Sequence, residues 1–195
     1  MELIIATHNK GKVAEFQRIL SPLGITAIPQ DELCPQLEVE ETGTTFAENA
    51  RLKAEAVCQA TGRAAVADDS GLCVDYLDGA PGVYSARYAG EGADDKTRYR
   101  KLLGELEGVP TQQRTARFIS AICAVFPDGE VIACEGTCEG YIGTEPLGDG
   151  GFGYDPIFLV GQKSYSQMTG EEKDAISHRG RALAQFYRLL QSKMA

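Results

Sequence analysis

Apolar positions change period several times along the chain, and each change predicts an element. Leu3 to Ala6 is a continuous apolar run of buried-strand type, and Thr7 to Gly11 is polar. Val13, Phe16, Ile19 and Leu20 then recur at helical spacing until Ser21-Pro22 breaks the pattern. The chain therefore opens as strand, loop and helix. Ile25 to Ile28 reads as a second short strand, followed by an acidic loop through Glu38, Glu40 and Glu41. Thr45 and Glu48 have the spacing of a capping box, and Phe46, Ala50, Ala54 and Val57 line one face of a helix ending near Gly62, with Lys53 at its middle. Ala64 to Ala67 returns as a strand running into Asp68-Asp69-Ser70-Gly71, and Leu72 to Tyr76 continues it or pairs beside it.

In the second half, Thr97 to Leu106 is a helix with Tyr99, Leu102, Leu103 and Leu106 inward, closed by Gly108 and Pro110. Arg117 to Phe126 and Glu130 to Cys138 flank the turn Pro127-Asp128-Gly129, which predicts an antiparallel hairpin and hence a mixed sheet. Gly148 to Pro156 is too rich in glycine for a strand and precedes the apolar run Ile157 to Val160, so it forms a loop at the mouth of a strand. Thr169 and Glu172 form a second capping box. Ser177 can cap a last helix whose Leu183, Phe186, Leu189 and Leu190 face the core, with His178 and Arg179 in its first turn. Strands and helices alternate almost throughout, without repeats or linkers, which predicts one α/β domain over residues 1–195.

Composition narrows the classes. The 195 residues, 43% hydrophobic, can bury one sizeable core. The net charge of −9 argues against a general polyanion binder, because duplex recognition rests on a broad cationic face. A small phosphorylated ligand needs only a few placed cations and a metal ion. The six cysteines lack the spacing of a stapled miniprotein, and Cys134 with Cys138 lacks a second pair to complete a zinc site. Met1 to Thr7 carries no basic leader and no apolar stretch reaches membrane-spanning length, so a soluble, cytoplasmic protein is expected.

Several segments carry candidate chemistry. Thr7-His8-Asn9-Lys10-Gly11-Lys12 joins a strand to a helix, where backbone N–H groups and the helix dipole favour an anion, although the spacing is not that of a Walker loop. An ordinary loop with solvated lysines is the plain alternative. Asp68 and Asp69 are adjacent at the end of an apolar strand, where successive side chains alternate faces, so they should not share one role unless the chain turns immediately. A carboxylate there can hold a metal or take a proton from water, or it can simply cap a turn. The acidic loop with Glu38, Glu40 and Glu41 could supply a second carboxylate, since Mg²⁺ is held by one or two carboxylates together with phosphates and waters, or it is a plain solvated charge run. Phe152 and Tyr154 offer flat surfaces and His178 and Arg179 offer donors, a set suited to a purine. Alternatively the aromatic rings pack inward, and Arg179 pairs with an acid such as Glu171 or Asp174.

Taken together, Thr7-x-Asn9-x-x-Lys12, Glu40-Glu41-Thr42-Gly43, Phe46-x-Glu48-Asn49-Ala50-x-x-Lys53-Ala54, Ala67-Asp68-Asp69-Ser70-Gly71-Leu72, Gly151-Phe152-Gly153-Tyr154-Asp155-Pro156 and Ser177-His178-Arg179 resemble the inosine/xanthosine triphosphate pyrophosphatase family, of bacterial type. Order and spacing match along nearly the whole chain. The resemblance implies an elongated, bilobed α/β fold with a long mixed sheet, a cleft between lobes, and a homodimer. It implies Mg²⁺-dependent hydrolysis of ITP, dITP and XTP to monophosphate and pyrophosphate. By resemblance, Thr7 to Lys12 cradle phosphates, Lys53 adds charge, Ser70 contacts substrate, and Asp69 is proton acceptor and metal-linked carboxylate. The second metal carboxylate is Glu40 or Glu41, with Glu41 preferred. Phe152, Gly153, Tyr154, Asp155, Lys173, His178 and Arg179 are implied in base recognition. His8 departs from the glycine of many relatives, which puts a positive φ there in doubt.

Three other readings compete: a broad nucleotide or sugar phosphatase using Asp68 and Asp69, a nucleotide-binding regulatory module without turnover, and a nucleic-acid-binding protein, which the acidic balance disfavours.

Overall fold

The computed structural model describes residues 1–194. Strand β1 (Glu2–Ile5) leads into helix α1 (Lys10–Leu20), β2 (Thr26–Pro29), α2 (Phe46–Thr61) and β3 (Ala65–Val74). Then follow α3 (Asp95–Glu105), β4 (Thr115–Val125), β5 (Val131–Ile142), β6 (Phe158–Val160), β7 (Lys163–Ser164), α4 (Gly170–Ile176) and α5 (His178–Met194). Among the described residues the strands form one seven-stranded sheet in the order β2-β1-β3-β4-β5-β6-β7. β1 is parallel to β2 and β3, whereas β6 is antiparallel to β5 and β7, so the sheet is mixed, as the hairpin signal implies.

The chain divides into two compact units. The first holds Met1–Asp69, Ser120–Gly136 and the C-terminal helix. In it both sheet faces are covered, which explains why Leu3 to Ala6 shows no polar alternation. Leu3 and Ile5 pack with Val66, Ile122 and Ala124 against Phe16 and Leu20 of α1 and Leu183 and Phe186 of α5. Ile4 and Ala6 pack with Ala65, Ala67, Ala121 and Cys123 against Ala50, Ala54 and Val57 of α2. Full burial of side chains such as Phe16 and Phe186 stabilises by about 1.5–3 kcal/mol each. Gly136 of β5 admits α5: a Cβ there would strike the His178 carbonyl and the Ala182 backbone.

The second unit comprises Ser70–Ile119 and Thr137–Ser177. Its core gathers Leu72, Val74, Leu102, Leu106, Phe118, Phe158 and Tyr165, with the Phe158 ring edge-on to Phe118 at 4.8 Å and to Tyr165 at 4.9 Å.

Local boundaries depart from the sequence reading where a cap or a neighbouring strand decides them. α1 starts at Lys10, inside the expected loop, because Asn9 is its N-cap and its Oδ1 accepts from the Lys12 N–H at 3.0 Å. α2 keeps its expected bounds: Thr45 and Glu48 make both bonds of the capping box, and Gly62 closes the helix at φ 65°. β3 does not end at Asp68. It runs unbroken through Asp68-Asp69-Ser70-Gly71.

Candidate active site

The site begins with where β1 stops. Ile5, its last residue, pairs with Val66, so Asp68 and Asp69 extend beyond the C-terminal end of the parallel neighbour, beside the turn that starts α1. That is where α/β sheets place ligands. The pleat then separates the two acids. Asp68 shares the face of Val66 and Asp69 that of Ala67, so Asp68 meets α1, α5 and β4 while Asp69 meets α2.

Asp68 is 2% exposed and fully committed. Its Oδ2 lies 2.9 Å from Lys12 Nζ and 2.8 Å from Arg179 Nη2, and its Oδ1 accepts from the Ser120 hydroxyl. Arg179 in turn grips Glu15, which is itself buried within α1. Burial alone would raise the Asp68 pKa, but Arg179, Lys12 and the Ser120 hydroxyl outweigh it and hold the carboxyl well below the usual range. Asp68 is therefore an anchor and not a base.

Asp69 has the opposite character. Its Oδ1 accepts from Lys53 Nζ at 3.0 Å, and its buried Oδ2 has no hydrogen-bond partner among the described residues. Burial pushes its carboxyl pKa up, Lys53 and Lys12 oppose the rise, and Glu41 adds to it. A carboxylate pushed up and holding an uncommitted oxygen is suited to accept a proton. Lys53 bridges the acids, its Nζ 2.7 Å from Glu41 Oε1 and 3.1 Å from the Asp68 carbonyl oxygen. Burial would lower its pKa, yet Asp69 and Glu41 raise it, so the ammonium persists.

The structure separates the two acidic-loop candidates. Glu41 is brought to Lys53, whereas Glu40 is exposed, with no side-chain ion pair among the described residues. Among the described residues no three His, Cys, Asp or Glu side chains converge on one point. Glu41 and the uncommitted Asp69 Oδ2 nevertheless supply hard oxygen ligands of the type and number Mg²⁺ takes from protein when phosphates and waters complete its shell.

The opening loop lies at the same place. Lys12 Nζ reaches the Asp68 carbonyl oxygen at 3.3 Å, the atom that Lys53 also contacts. Lys12 and Asp69 thus face one locus, and three cations (Lys12, Lys53 and Arg179) surround the Asp68–Asp69 pair. Burial lowers the Lys12 pKa, Asp68 opposes this, and Lys53 and Arg179 reinforce it. The N–H groups of Lys10 and Gly11 open α1 without partners inside the helix. The Thr7 hydroxyl accepts from the Asn9 N–H at 3.1 Å. His8 is not among the residues with positive φ, and its ring turns to Asp31 and the Leu37 carbonyl.

The second unit holds a separate group. Lys173 Nζ lies 2.6 Å from Asp155 Oδ2 and sits over the rings of Phe152 and Tyr165, 4.8 and 5.2 Å from their centroids. Asp155 Oδ2 also accepts from the Phe152 N–H at 3.0 Å. Gly153 donates to Asp95 Oδ2 at 2.8 Å. Gly151, at φ 73°, leaves the space that the Asp155 carboxylate fills. Tyr154 is core: it is buried and its hydroxyl donates to the Ser85 carbonyl at 2.8 Å. Ser70 follows Asp69 in β3, half-buried, and His178 is buried at the start of α5.

Sequence reasoning missed Glu15, Ser120, Asp95 and Tyr165. Only Glu15 left a signal, as an acid beside Phe16 on the apolar face of α1. It also named Glu171 or Asp174 as partners for Arg179, whose ion pairs run to Glu15 and Asp68.

Known proteins share this fold. The Staphylococcus aureus Ham1 protein superposes with a TM-score of 0.86 at 42% identity, covering 99% of this chain and 100% of that one. A HAM1 protein from Coxiella burnetii gives 0.87 at 43%, covering 98% and 99%. The fold class is thus the α/β class of the Ham1 structures. The sequence model of the Ham1 family matches residues 3–189, and the chain belongs to that family. It is 51% identical over 193 residues to the dITP/XTP pyrophosphatase of Bacillus subtilis strain 168, covering 98% of each chain. To the dITP/XTP pyrophosphatase of Halalkalibacterium halodurans it is 52% identical over 186 residues, covering 94% of this chain and 96% of that one.

Proposed function

We propose that this chain is a hydrolase of non-canonical purine nucleoside triphosphates, dITP, XTP and ITP, producing nucleoside monophosphate and pyrophosphate and so clearing deaminated purines from the nucleotide pool. The carrying observation is that Asp69, its pKa raised by burial and one oxygen uncommitted, stands beside Lys53 and Lys12 at the open N-terminus of α1.

Water attacks the α-phosphorus, the bond to the bridging oxygen of the β-phosphate breaks, and pyrophosphate leaves. Asp69 orients that water and takes its proton. Lys12, Lys53 and the first N–H groups of α1 neutralise charge on the phosphates, which is where most of the rate in phosphoryl chemistry arises. Asp69 and Glu41 would hold Mg²⁺, which when bound offsets phosphate charge and acts as a Lewis acid. Asp68 and Arg179 act by holding Lys12 in place.

Phe152, Lys173 and His178 recognise the base, assisted by the loop through Gly153 and Asp155. Donors suit a 6-oxo acceptor but meet another donor when the base is adenine. Each mismatch costs about 1–3 kcal/mol, so two give on the order of thirty-fold to ten-thousand-fold rejection of ATP. We further propose one catalytic domain over residues 1–195, a homodimer, and a cytoplasmic location, the last consistent with the finding that no helix among the described residues is long and apolar enough to cross a membrane.

The test is release of pyrophosphate from dITP, XTP, GTP and ATP with and without Mg²⁺. Release from dITP and XTP but not from GTP or ATP, dependent on the metal, is expected. Inorganic phosphate as product would instead identify a phosphatase, and ligand-dependent melting without turnover a binding module.

A further inference from the structure

The segment between the 3₁₀ turn Gln30–Glu32 and α2 carries Glu41, yet from Leu33 to Thr45 it contains no helix or strand. Its carboxylate meets Lys53 Nζ at 2.7 Å, and the path of the backbone that delivers it there is set by what pins the segment on either side. On the α2 side, the Gly43 N–H donates to Asn49 Oδ1 at 2.8 Å, and Asn49 is fully buried. On the other side the pin is His8. Its Nε2 lies 3.0 Å from the Leu37 carbonyl oxygen and its Nδ1 2.5 Å from Asp31 Oδ1. Gln30, 3% exposed, supports the same point: its Nε2 donates to the Leu37 oxygen at 3.2 Å. Between these anchors the backbone makes one local hydrogen bond, from the Thr42 N–H to the Glu40 carbonyl at 3.1 Å.

We propose that His8 is a positioning residue: it latches the Glu41-bearing loop to the turn before α1 and thereby sets the Glu41 carboxylate beside Asp69. The inference rests on the assignment of Glu41 to the metal made above. It also removes His8 from the phosphate cradle, because both ring nitrogens are engaged, Nδ1 by Asp31 and Nε2 by the Leu37 carbonyl. The charged groups facing the ring are Asp31 and, at 3.8 Å from Nε2, Glu38. Both favour an imidazolium, and burial is outweighed so that the His8 pKa is raised. A ring that donates from both nitrogens clamps two segments at once, which neither glycine nor alanine can do.

The experiment compares wild type, His8→Ala, Asp31→Asn and Glu41→Gln by three readouts: binding of Mn²⁺ alone followed by electron paramagnetic resonance, hydrogen exchange of the amides of residues 33–43, and KM for dITP at saturating Mg²⁺. Loss of a group bonded directly to a metal ligand weakens metal binding by about 10–100-fold, and His8, which acts on Glu41 through the backbone from Leu37, belongs at the lower end of that range. For His8→Ala we expect about tenfold weaker Mn²⁺ binding and faster exchange in the loop, with an unchanged KM for dITP. Asp31→Asn should show the same pattern to a lesser degree. A raised KM for dITP with unchanged Mn²⁺ binding would make His8 a phosphate contact and overturn the latch, as would no change in any readout. Unchanged Mn²⁺ binding in Glu41→Gln would remove Glu41 from the metal. The latch would then stand or fall on exchange of the loop in His8→Ala.

Discussion

Lys12 and Lys53 donate to the same atom, the carbonyl oxygen of Asp68, at 3.3 and 3.1 Å. One ammonium comes from the helix that follows β1 and the other from the helix that precedes β3, and the strand between them brings both to the Asp68–Asp69 peptide. Lys53 spends its remaining donors on Glu41 and Asp69. Lys12 contacts Asp68 alone, through two oxygens, and its third N–H makes no hydrogen bond among the described residues. Lys12 thus keeps a donor to spare, whereas Lys53 tunes the Asp69 carboxylate.

Asp69→Asn should lower kcat for dITP by at least about 100-fold, the lower end of what a positioned acid–base group contributes. The fold should persist, because burial already disfavours the charged form that the amide replaces. Steady-state rates together with a thermal melt check both halves, and near-normal turnover would remove Asp69 as the base.

Lys53→Met should shift the acid limb of the pH–rate profile to higher pH. Lys53 lowers the Asp69 pKa, so its loss lets burial and Glu41 raise that value further, and the base is protonated over a wider range. The profile of kcat/KM measures the shift directly. A limb that stays in place or moves to lower pH would separate Lys53 from the ionisation of Asp69.

Asp68→Asn should cost about 3 kcal/mol at neutral pH, because it leaves Lys12 and Arg179 facing an uncharged amide in a buried site. The folded pKa is depressed, so the carboxylate's stabilisation is complete above its unfolded value of 3.8 and is lost as pH falls through the folded value. Urea unfolding of both proteins should therefore show a constant difference from neutral pH down to about 3.8 and a shrinking one as pH falls from there through the folded value.

Gly136→Ala should destabilise by about 1–3 kcal/mol through overpacking. The added methyl meets the His178 carbonyl and Ala182 backbone, neither of which can rotate away. Since the same helix turn carries Arg179, activity should fall along with stability. A variant as stable as wild type would show that α5 is not seated on Gly136.

The sequence by itself determined the elements whose signals are local. Thr45 with Glu48 and Thr169 with Glu172 set two helix starts, since both bonds of each capping box close within one turn. Pro127-Asp128-Gly129 set the hairpin, and the motifs in register set the family. Alternation in an extended chain also implied that Asp68 and Asp69 diverge. Only the tertiary structure decided that Asp68 is tied to two cations while Asp69 keeps an oxygen without a hydrogen-bond partner among the described residues. That difference depends on the helices covering each sheet face: α1 and α5 bring Lys12 and Arg179 to Asp68, while α2 brings Lys53 to Asp69. The same holds for Tyr154 turning inward to Ser85, for Glu15 meeting Arg179, and for Glu41 rather than Glu40 reaching Lys53. These are contacts between buried polar groups far apart in the chain, and burial forces each to find a partner without encoding in its own neighbourhood which partner that is.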